Sequence, residues 1–345
     1  MGDDDNGELQ QAALQQDLLA QASRASVQMV NRRLAALTRL ETSSSASIAV
    51  SPRVRFTADY VSGPYFSLDP SQIETTPARD NQLRLGLDTP TPWGDLKAQW
   101  LVRDALAQIM GFQVQHTHKL SRQATLQLDV ALAERSDESS IMSIAGVRDR
   151  VGASLTLRPS NWIDGQATLS KQQFRTQTGA ALGGSTTVSA SGNWTLRSDY
   201  PDVRLKAQGS RNVMVADGQP DAAATALLGR SASSSSSSTA SQFLGPSATT
   251  FGASLGLGLA QGDSANYSRA WRPWGEVGFE TSMTETATQT QALIRLGMKG
   301  SVRGRDQLSL LLEARPSNAS AVSGQSPQTS FEMGLRYEIF FDRLR

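Results

Sequence analysis

The sequence predicts an all-β protein, a transmembrane antiparallel up-and-down β-barrel of about 14–16 strands, preceded by an N-terminal α-helix. Apolar and polar residues alternate in many short segments, as expected for strands with one apolar and one polar face. The connections between these segments form a short and a long class that alternate along the chain. A soluble sandwich, the main rival all-β fold, gives no reason for such an alternation of connection lengths.

The composition of the 345-residue chain agrees with this fold class. Its mean hydropathy is −0.33, which suits a barrel because only alternate residues of each strand face lipid. No run of 18 apolar residues indicates a transmembrane helix. The net charge of +1 shows no basic field for nucleic acid, and the absence of cysteine excludes disulfides and thiolate metal sites.

The first 45 residues predict a separate helical segment, with the barrel at residues 46–345. From Glu8 to Glu41 the chain is rich in Ala, Leu and Gln and lacks Pro, and its apolar residues at positions 27, 30, 34 and 37 have helical spacing. This helix is either a periplasmic connector or the last helix of an upstream repeat array. Because the N-terminus lacks the features of a signal peptide, we expect the sequence to be the C-terminal part of a longer exported protein.

The alternating segments are each roughly 9 to 13 residues long, near the length that crosses a bilayer at a tilt. About 14 are clear, namely Arg53–Val61, Asn81–Asp88, Leu96–Arg103, Met110–Leu120, Gln123–Ala133, Arg150–Arg158, Gly165–Thr176, Thr186–Arg197, Asp202–Val213, Thr250–Gln261, Trp274–Thr284, Thr290–Val302, Gln307–Ser317 and Phe331–Phe341. A further pair is expected within residues 44–51 and 65–79. The last segment is predicted to close the barrel by pairing with Arg53–Val61, since no strand edge stays open in lipid.

The lengths of the turns predict the orientation of the barrel. The short class comprises residues 89–95, 120–123, 159–164, 198–201 and 304–306, and the long class comprises residues 62–80, 135–149, 214–249 and 316–329. Outer-membrane barrels have short periplasmic turns and long external loops, so both termini are predicted to be periplasmic. Residues 262–273 are long for a periplasmic turn.

No catalytic motif is present, and we expect a protein without enzymatic activity, cofactor or metal. His116 and His118 lie two residues apart on one strand and so share a face, but no carboxylate pattern accompanies them. We therefore interpret them as polar residues near a short turn. The six tryptophans lie mostly near strand ends and fit an interfacial girdle.

Charged residues within the strands predict a polar lumen, because Arg or Lys on the lipid face would cost about 2–4 kcal/mol each at the midplane. The lumen set is Asp129, Glu276, Glu280, Arg295, Glu313, Glu332, Arg336 and Glu338. These residues are either mutually paired charges that brace the wall or a conduit whose carboxylates guide a hydrated, cationic substrate. A basic rim at the short turns is either solvated or a docking surface for an acidic partner; it comprises Arg158, Arg197, Arg204, Arg303 and Arg305.

Three stretches resemble the C-terminal porin region of the PelB family of exopolysaccharide exporters. They are RDNQLRLGLDTPTPWGDLKAQW (Arg79–Trp100), RPWGEVGFE (Arg272–Glu280) and the ending FEMGLRYEIFFDRLR. The resemblance spans most of the chain and implies 16 strands, an outer-membrane location and export of a Pel-like, partly deacetylated, cationic amino-sugar polymer. It also implies a periplasmic-side lipoprotein ring, PelC-like, as partner.

The expected function is therefore an outer-membrane channel for an exopolysaccharide, with outer-membrane lipid around it and no nucleic-acid partner. The long loop at residues 214–249 is a candidate plug of the lumen, and Ala222, Leu227, Leu228 and Phe243 are its candidate plug residues. The alternative is a general diffusion porin or a small-molecule outer-membrane transporter.

Overall fold

Sixteen long antiparallel strands form one closed sheet, which is the wall of the protein. The computed structural model describes residues 23–34, 37–51, 53–70, 73–77, 79–228, 239–259, 270–303, 306–315, 317–318 and 330–341. The long strands are β1 Ser23–Leu34, β2 Leu37–Ala49, β3 Arg55–Ser62, β4 Asn81–Thr91, β5 Gly94–Asp104, β6 Gln108–Lys119, β7 Ala124–Arg135, β8 Gly146–Ser160, β9 Ile163–Thr176, β10 Ala181–Arg197, β11 Val203–Val215, β12 Ala248–Leu257, β13 Arg272–Thr284, β14 Thr288–Ser301, β15 Gln307–Arg315 and β16 Ser330–Phe341.

The remaining regular structure lies in the long connections. Two short segments extend the sheet, Tyr65–Ser67 beside β2 and Ser317–Asn318 beside β14. Two short helices, α1 Ser140–Ala145 and α2 Ala222–Thr225, and a 3₁₀ turn at Ala240–Gln242 complete the described elements. None of the described helices is long and apolar enough to span a membrane.

The barrel closes between its first and last strands. β16 pairs with β1 from Ser23 opposite Phe341 to Arg33 opposite Phe331, and with β15 on its other edge. The predicted closure of Phe331–Phe341 against Arg53–Val61 is therefore wrong. β3 instead lies between β2 and β4.

The predicted N-terminal helix is wrong over the part that the structure describes. Residues 23–34 and 37–49 form β1 and β2, a hairpin with a tight turn, and residues 8–22 lie outside the described residues. This hairpin is also the strand pair that the sequence analysis expected in residues 44–51 and 65–79. The barrel thus begins inside the segment assigned to a helical domain.

The helical spacing of β1 is misleading because its apolar residues point to both sides of the wall. Val27 and Met29 are 52% and 47% exposed and face outward, whereas Val30 is only 6% exposed and faces the lumen. Val30 fits there because it lies directly opposite Gly334 of β16, which has no side chain. Ser26, the lumen-facing neighbour of Val27, is also buried.

The two faces of the wall are otherwise as the alternation predicts. Along β16, Phe331, Met333 and Leu335 are exposed on the outside, while Glu332 and Glu338 point inward. Cross-strand partners share a face, so this polarity extends to the neighbouring strands. The predicted apolar outer surface and polar lumen are thus present.

Connections alternate between two ends of the barrel, as predicted. We call one the short-turn end; its connections are residues 50–54, 92–93, 120–123, 161–162, 198–202, 258–271 and 302–306. We call the other the long-loop end; it carries residues 63–80, 136–145, 216–247 and 316–329, with short turns between them. Residue 23 of β1 and residue 341 of β16 both lie at the short-turn end.

The closing seam generates a first prediction. Replacing Met29 by Lys should destabilise the barrel by about 2–4 kcal/mol if Met29 lies near the bilayer midplane, because this strand position faces lipid. Replacing the adjacent Gln28 by Lys should have a small effect, since Gln28 faces the lumen. Urea unfolding in lipid vesicles, followed by heat-modifiable migration on gels, measures the difference. Equal stability of both variants would contradict the assignment of β1 to the wall.

Candidate functional site

The lumen wall on β11 to β15 carries a chain of alternating charges. Glu276 lies 3.3 Å from the Nζ of Lys206 and 3.2 Å from the guanidinium of Arg295, and it accepts a 2.6 Å hydrogen bond from Ser254. Arg295 continues to Glu313 at 2.7 Å, and Arg315 donates to the other oxygen of Glu313 at 2.7 Å. The register explains the chain, because Glu276, Arg295 and Glu313 are direct cross-strand partners.

The same pattern continues on other parts of the wall. Glu338 is paired with Arg24 at 3.5 Å and with Arg336 at 3.4 Å, and it is 3% exposed. Glu332 accepts a 3.0 Å hydrogen bond from Arg32 of β1.

Across the barrel, Asp129 lies 3.1 Å from Arg150. All eight residues predicted for the lumen therefore face inward. Seven of them are paired with opposite charges, which is the arrangement that braces a wall.

Glu280 differs from the other predicted lumen carboxylates. It accepts a 2.9 Å hydrogen bond from the amide of Gln208 and has no salt bridge to the residues that the structure describes. A neutral amide leaves the negative charge of the carboxylate uncompensated. Glu280 is therefore the lumen group best suited to attract a passing cation.

At the long-loop end, three connections fold together over the lumen and form an apolar cluster. They are residues 63–80, 136–145 and 216–247, and they pack against Leu37, Phe174 and Leu182 at the ends of wall strands. We call this assembly the loop cluster; its buried loop residues include Tyr65, Ile73, Met142, Ile144, Ala224, Leu227, Leu228, Phe243 and Leu244. Burial of this many apolar side chains makes the loops a packed unit.

Backbone contacts join the three loops. Ile73 and Leu228 form an isolated β-bridge, and the amide of Glu74 donates to the carbonyl of Leu227 at 3.1 Å. The hydroxyl of Ser139 donates to the carbonyl of Phe243 at 2.6 Å. Of the candidate plug residues, Leu227, Leu228 and Phe243 are buried in the cluster, whereas Ala222 opens α2 and is exposed.

A buried ion pair anchors the loop cluster to the wall. Arg103 of β5 is fully buried, and its guanidinium makes a two-point contact with Asp80, at 2.9 and 3.0 Å. Its remaining donors reach the carbonyls of Ser143 at 2.8 Å and Gly146 at 3.1 Å, at the end of α1. A guanidinium suits this position because its five donors form a fixed planar fork.

Tyr65 and Arg39 complete the anchor. The Tyr65 hydroxyl donates to Asp80 at 2.9 Å, and the guanidinium of Arg39 lies 4.8 Å from the centre of its ring. Burial, reinforced by the negative charge of Asp80, raises the pKa of the Tyr65 hydroxyl far above its usual range. Tyr65 therefore stays a neutral donor at physiological pH.

Asp221 ties the loop at residues 216–247 to the end of β9. Its carboxylate accepts hydrogen bonds from Thr176 at 2.5 Å and from Thr178, and it caps α2 through the amide of Ala224 at 2.8 Å. Burial opposes ionisation, but these donors outweigh it and lower the pKa of Asp221. The lowered pKa means that this contribution to stability is present above the usual value of about 3.9 and is lost only as pH falls through the lowered pKa.

Sequence analysis did not identify Asp80, Arg103 or Tyr65. Arg103 ends a predicted strand, and Asp80 lies in a loop more than twenty residues earlier, so no spacing connects them. The one available signal is the arginine itself, an unbroken charge at the long-loop end of a strand that is otherwise apolar on its outer face.

The predicted rim is only partly a rim. Arg158, Arg197 and Arg303 are exposed at the short-turn end. Arg204 points to the lumen side and pairs with the buried Asp202 at 2.8 Å. Arg305 lies outside the described residues.

The remaining polar and aromatic candidates divide between the two faces. His116 and His118 lie opposite Leu128 and Leu126 of β7 and therefore face outward near the short-turn end. Within the part of the chain that the structure describes, no group of three or more metal-ligating side chains comes together. Five of the six tryptophans are exposed, but Trp274 faces the lumen, where its ring covers Gly297.

Comparison with solved structures defines the class of this fold as a β-barrel of the outer-membrane type. The structure titled "Bacterial polysaccharide outer membrane secretin" matches with a TM-score of 0.63 at 10% identity, covering 93% of this chain and 99% of that chain. OmpT of Vibrio cholerae, a variant lacking loop L8, matches at a TM-score of 0.47 and 8% identity, covering 92% and 98% of the two chains. OpdQ of Pseudomonas aeruginosa matches at 0.46 and 8%, with the same shares covered.

The family model described as "PelB, C-terminal beta barrel domain" matches residues 19–340. The chain therefore belongs to this family and is an outer-membrane β-barrel. The comparison with curated proteins gives no match. The match includes β1 and β2, in agreement with their place in the wall.

The anchor generates a second prediction. Replacing Arg103 by Met leaves Asp80 buried without this partner, a loss that typically costs about 3–5 kcal/mol. The loop cluster should then open, and residues 216–247 should be cleaved faster by added protease while the barrel stays folded. Arg315→Met is the matched control, because Arg315 lines the lumen and is about one-third exposed. Equal protease resistance of the two variants would contradict the anchoring role.

Proposed function

We propose that this protein is an outer-membrane channel that exports an exopolysaccharide through its lumen. Membership of the PelB C-terminal barrel family carries the proposal. It is supported by a closed wall whose inner face is polar, as passage of a hydrated polymer requires. The solved structure with the highest TM-score among those compared here bears a title that names a polysaccharide outer-membrane protein.

The proposed substrate is a Pel-like polymer, a partly deacetylated and therefore cationic amino-sugar chain. Most lumen carboxylates are neutralised by arginine or lysine, so they brace the wall and offer little net attraction. Glu280 supports the proposal for a cationic substrate, because its charge is balanced only by an amide. Its position on β13 lies beyond Glu276 toward the long-loop end, on the path that a polymer would follow.

The loop cluster is the proposed gate. It lies at the long-loop end, it unites three loops, and it includes the predicted plug residues Leu227, Leu228 and Phe243. Export then requires the cluster to move away from the wall or to separate into its loops. The Arg103–Asp80 pair is the contact that would resist this movement most strongly.

In the proposed orientation the short-turn end faces the periplasm and both termini lie there, as in outer-membrane barrels in general. Arg158, Arg197 and Arg303 would then form the surface for a PelC-like lipoprotein ring, with Arg305 beside them in the sequence. Arg204 is left out of this surface because Asp202 neutralises it. The barrel is proposed to act as a channel without enzymatic activity.

The third prediction tests the channel and its gate. A variant in which Asp221–Leu244 is replaced by a short Gly-Ser linker should conduct severalfold more current in planar bilayers, because the cluster loses Leu227, Leu228 and Phe243. Glucosamine hexamers added to the short-turn side should then interrupt the current. Deletion of the serine run Ser233–Ser238 is the matched control and should leave the conductance of the parent unchanged.

An unchanged conductance after loop replacement would overturn the gate. An enlarged current that passes salt and small solutes but is never interrupted by the hexamer would favour a general diffusion porin.

The fourth prediction concerns the uncompensated carboxylate. In the loop-replaced channel, Glu280→Gln should reduce the preference for cations, which appears as a shift of the reversal potential toward zero in a salt gradient. Glu285→Gln is the control, because Glu285 is exposed in a turn at the long-loop end. Reversal potentials that change equally in both variants, or in neither, would exclude Glu280 as the guiding charge.

A further inference from the structure

An apolar row crosses five neighbouring strands of the lumen wall near the short-turn end. Trp274 of β13 is the direct partner of Gly297, Gly297 of Leu311, Leu311 of Gly334, and Gly334 of Val30. All five face the lumen, since the exposed outer residues of these strands lie at the alternate positions. The proposed substrate path has no other use for such a row, because lumen residues of a barrel are mostly polar.

The two glycines shape the row in different ways. A Cβ atom on Gly297 would lie 2.3 Å from a ring atom of Trp274, so this glycine is what lets the indole lie against the wall. A Cβ atom on Gly334 would meet nothing closer than 3.8 Å, so Gly334 leaves a hollow beside Leu311. The result is an indole face and an open floor next to each other. The indole makes no side-chain hydrogen bond to the residues that the structure describes.

A polar row lies parallel to the apolar one, two residues nearer the short-turn end. Lys299, Ser309, Arg336 and Gln28 are successive cross-strand partners. Arg336 pairs with Glu338, yet its Nε N–H has no acceptor among the described residues. The row therefore presents several donors, and one of them is unused.

The two rows line a single recess in the wall. Its lining combines the Trp274 ring and the Gly334 floor with the side chains of Gln28, Lys299, Ser309 and Arg336. An aromatic surface with a few convergent polar groups is the usual composition of a binding site for a small organic group. The recess lies at the end of the lumen opposite the loop cluster, so a ligand can reach it while the cluster is closed.

We infer that this recess is a binding subsite for one hexopyranose unit of the exported polymer, with preference for an N-acetylated unit. A pyranose ring has an apolar C–H face, which fits the indole, and a polar edge, which fits the parallel row of donors. An acetamido carbonyl accepts hydrogen bonds from Arg336 or Lys299, whereas a free ammonium group would meet two like charges. The inference rests on the proposed export function and adds an entry subsite to it.

The subsite and Glu280 would then recognise different units of the same chain. The acetylated units bind at the short-turn end, and the deacetylated, cationic units are drawn toward Glu280 farther along the lumen. A partly deacetylated polymer supplies both kinds of unit.

Binding of defined hexasaccharides to the full chain in phosphatidylcholine nanodiscs tests the subsite by calorimetry. The N-acetylglucosamine hexamer should bind more tightly than the glucosamine hexamer. Trp274→Leu, which still covers Gly297 but has no ring face, should weaken binding of the N-acetylated hexamer by about three- to tenfold, in line with the usual contribution of an aromatic contact. Trp274→Phe should retain most of the affinity.

Trp100→Leu is the matched control, because Trp100 is exposed on the outer face of the wall and should leave the affinity unchanged. Heat-modifiable migration shows that each variant is folded. Unaltered binding in Trp274→Leu, or an absence of binding to the parent chain, would overturn the subsite. Neither result would touch the export proposal, which the current measurements on the loop-replaced channel decide separately.

Discussion

The requirement that every backbone N–H and C=O be paired in lipid is the constraint on which this structure depends. A sheet meets it only by closing on itself, so the seam between β1 and β16 is as necessary as any strand in the middle of the wall. That seam recruits a segment whose local composition favours a helix. Once it is closed, the alternation of faces divides the protein into an apolar outside and a polar lumen.

Pairing of charges then sets the character of the lumen. Inward charges are placed opposite one another by strand register, so Glu276, Arg295 and Glu313 form a continuous chain of ion pairs. Such pairs hold the wall in shape and cancel much of the lumen's field. Function is therefore concentrated in the few groups that pairing leaves over, of which Glu280 is the clearest.

The two ends of the lumen differ in chemistry. The long-loop end is closed by apolar packing that the Arg103–Asp80 pair holds in place. A buried pair of this kind is weak evidence of net stability, but the loss of one partner is costly, which makes it suited to fixing one arrangement of loops. The short-turn end leaves a recess beside Trp274 and Gly334, so a polymer would meet a binding surface before it meets the gate.

The sequence by itself determined the fold class, the orientation of most strands and the inward position of the eight predicted lumen residues, because a period of two and the lengths of the turns are local properties. It misassigned Ser23–Leu34, whose neighbours in space are residues near the other end of the chain. Asp80 with Arg103, and Trp274 with Gly334, also came together only through tertiary structure. Their meeting depends on closure and on the packing of distant loops, and neither leaves a periodic trace in the chain.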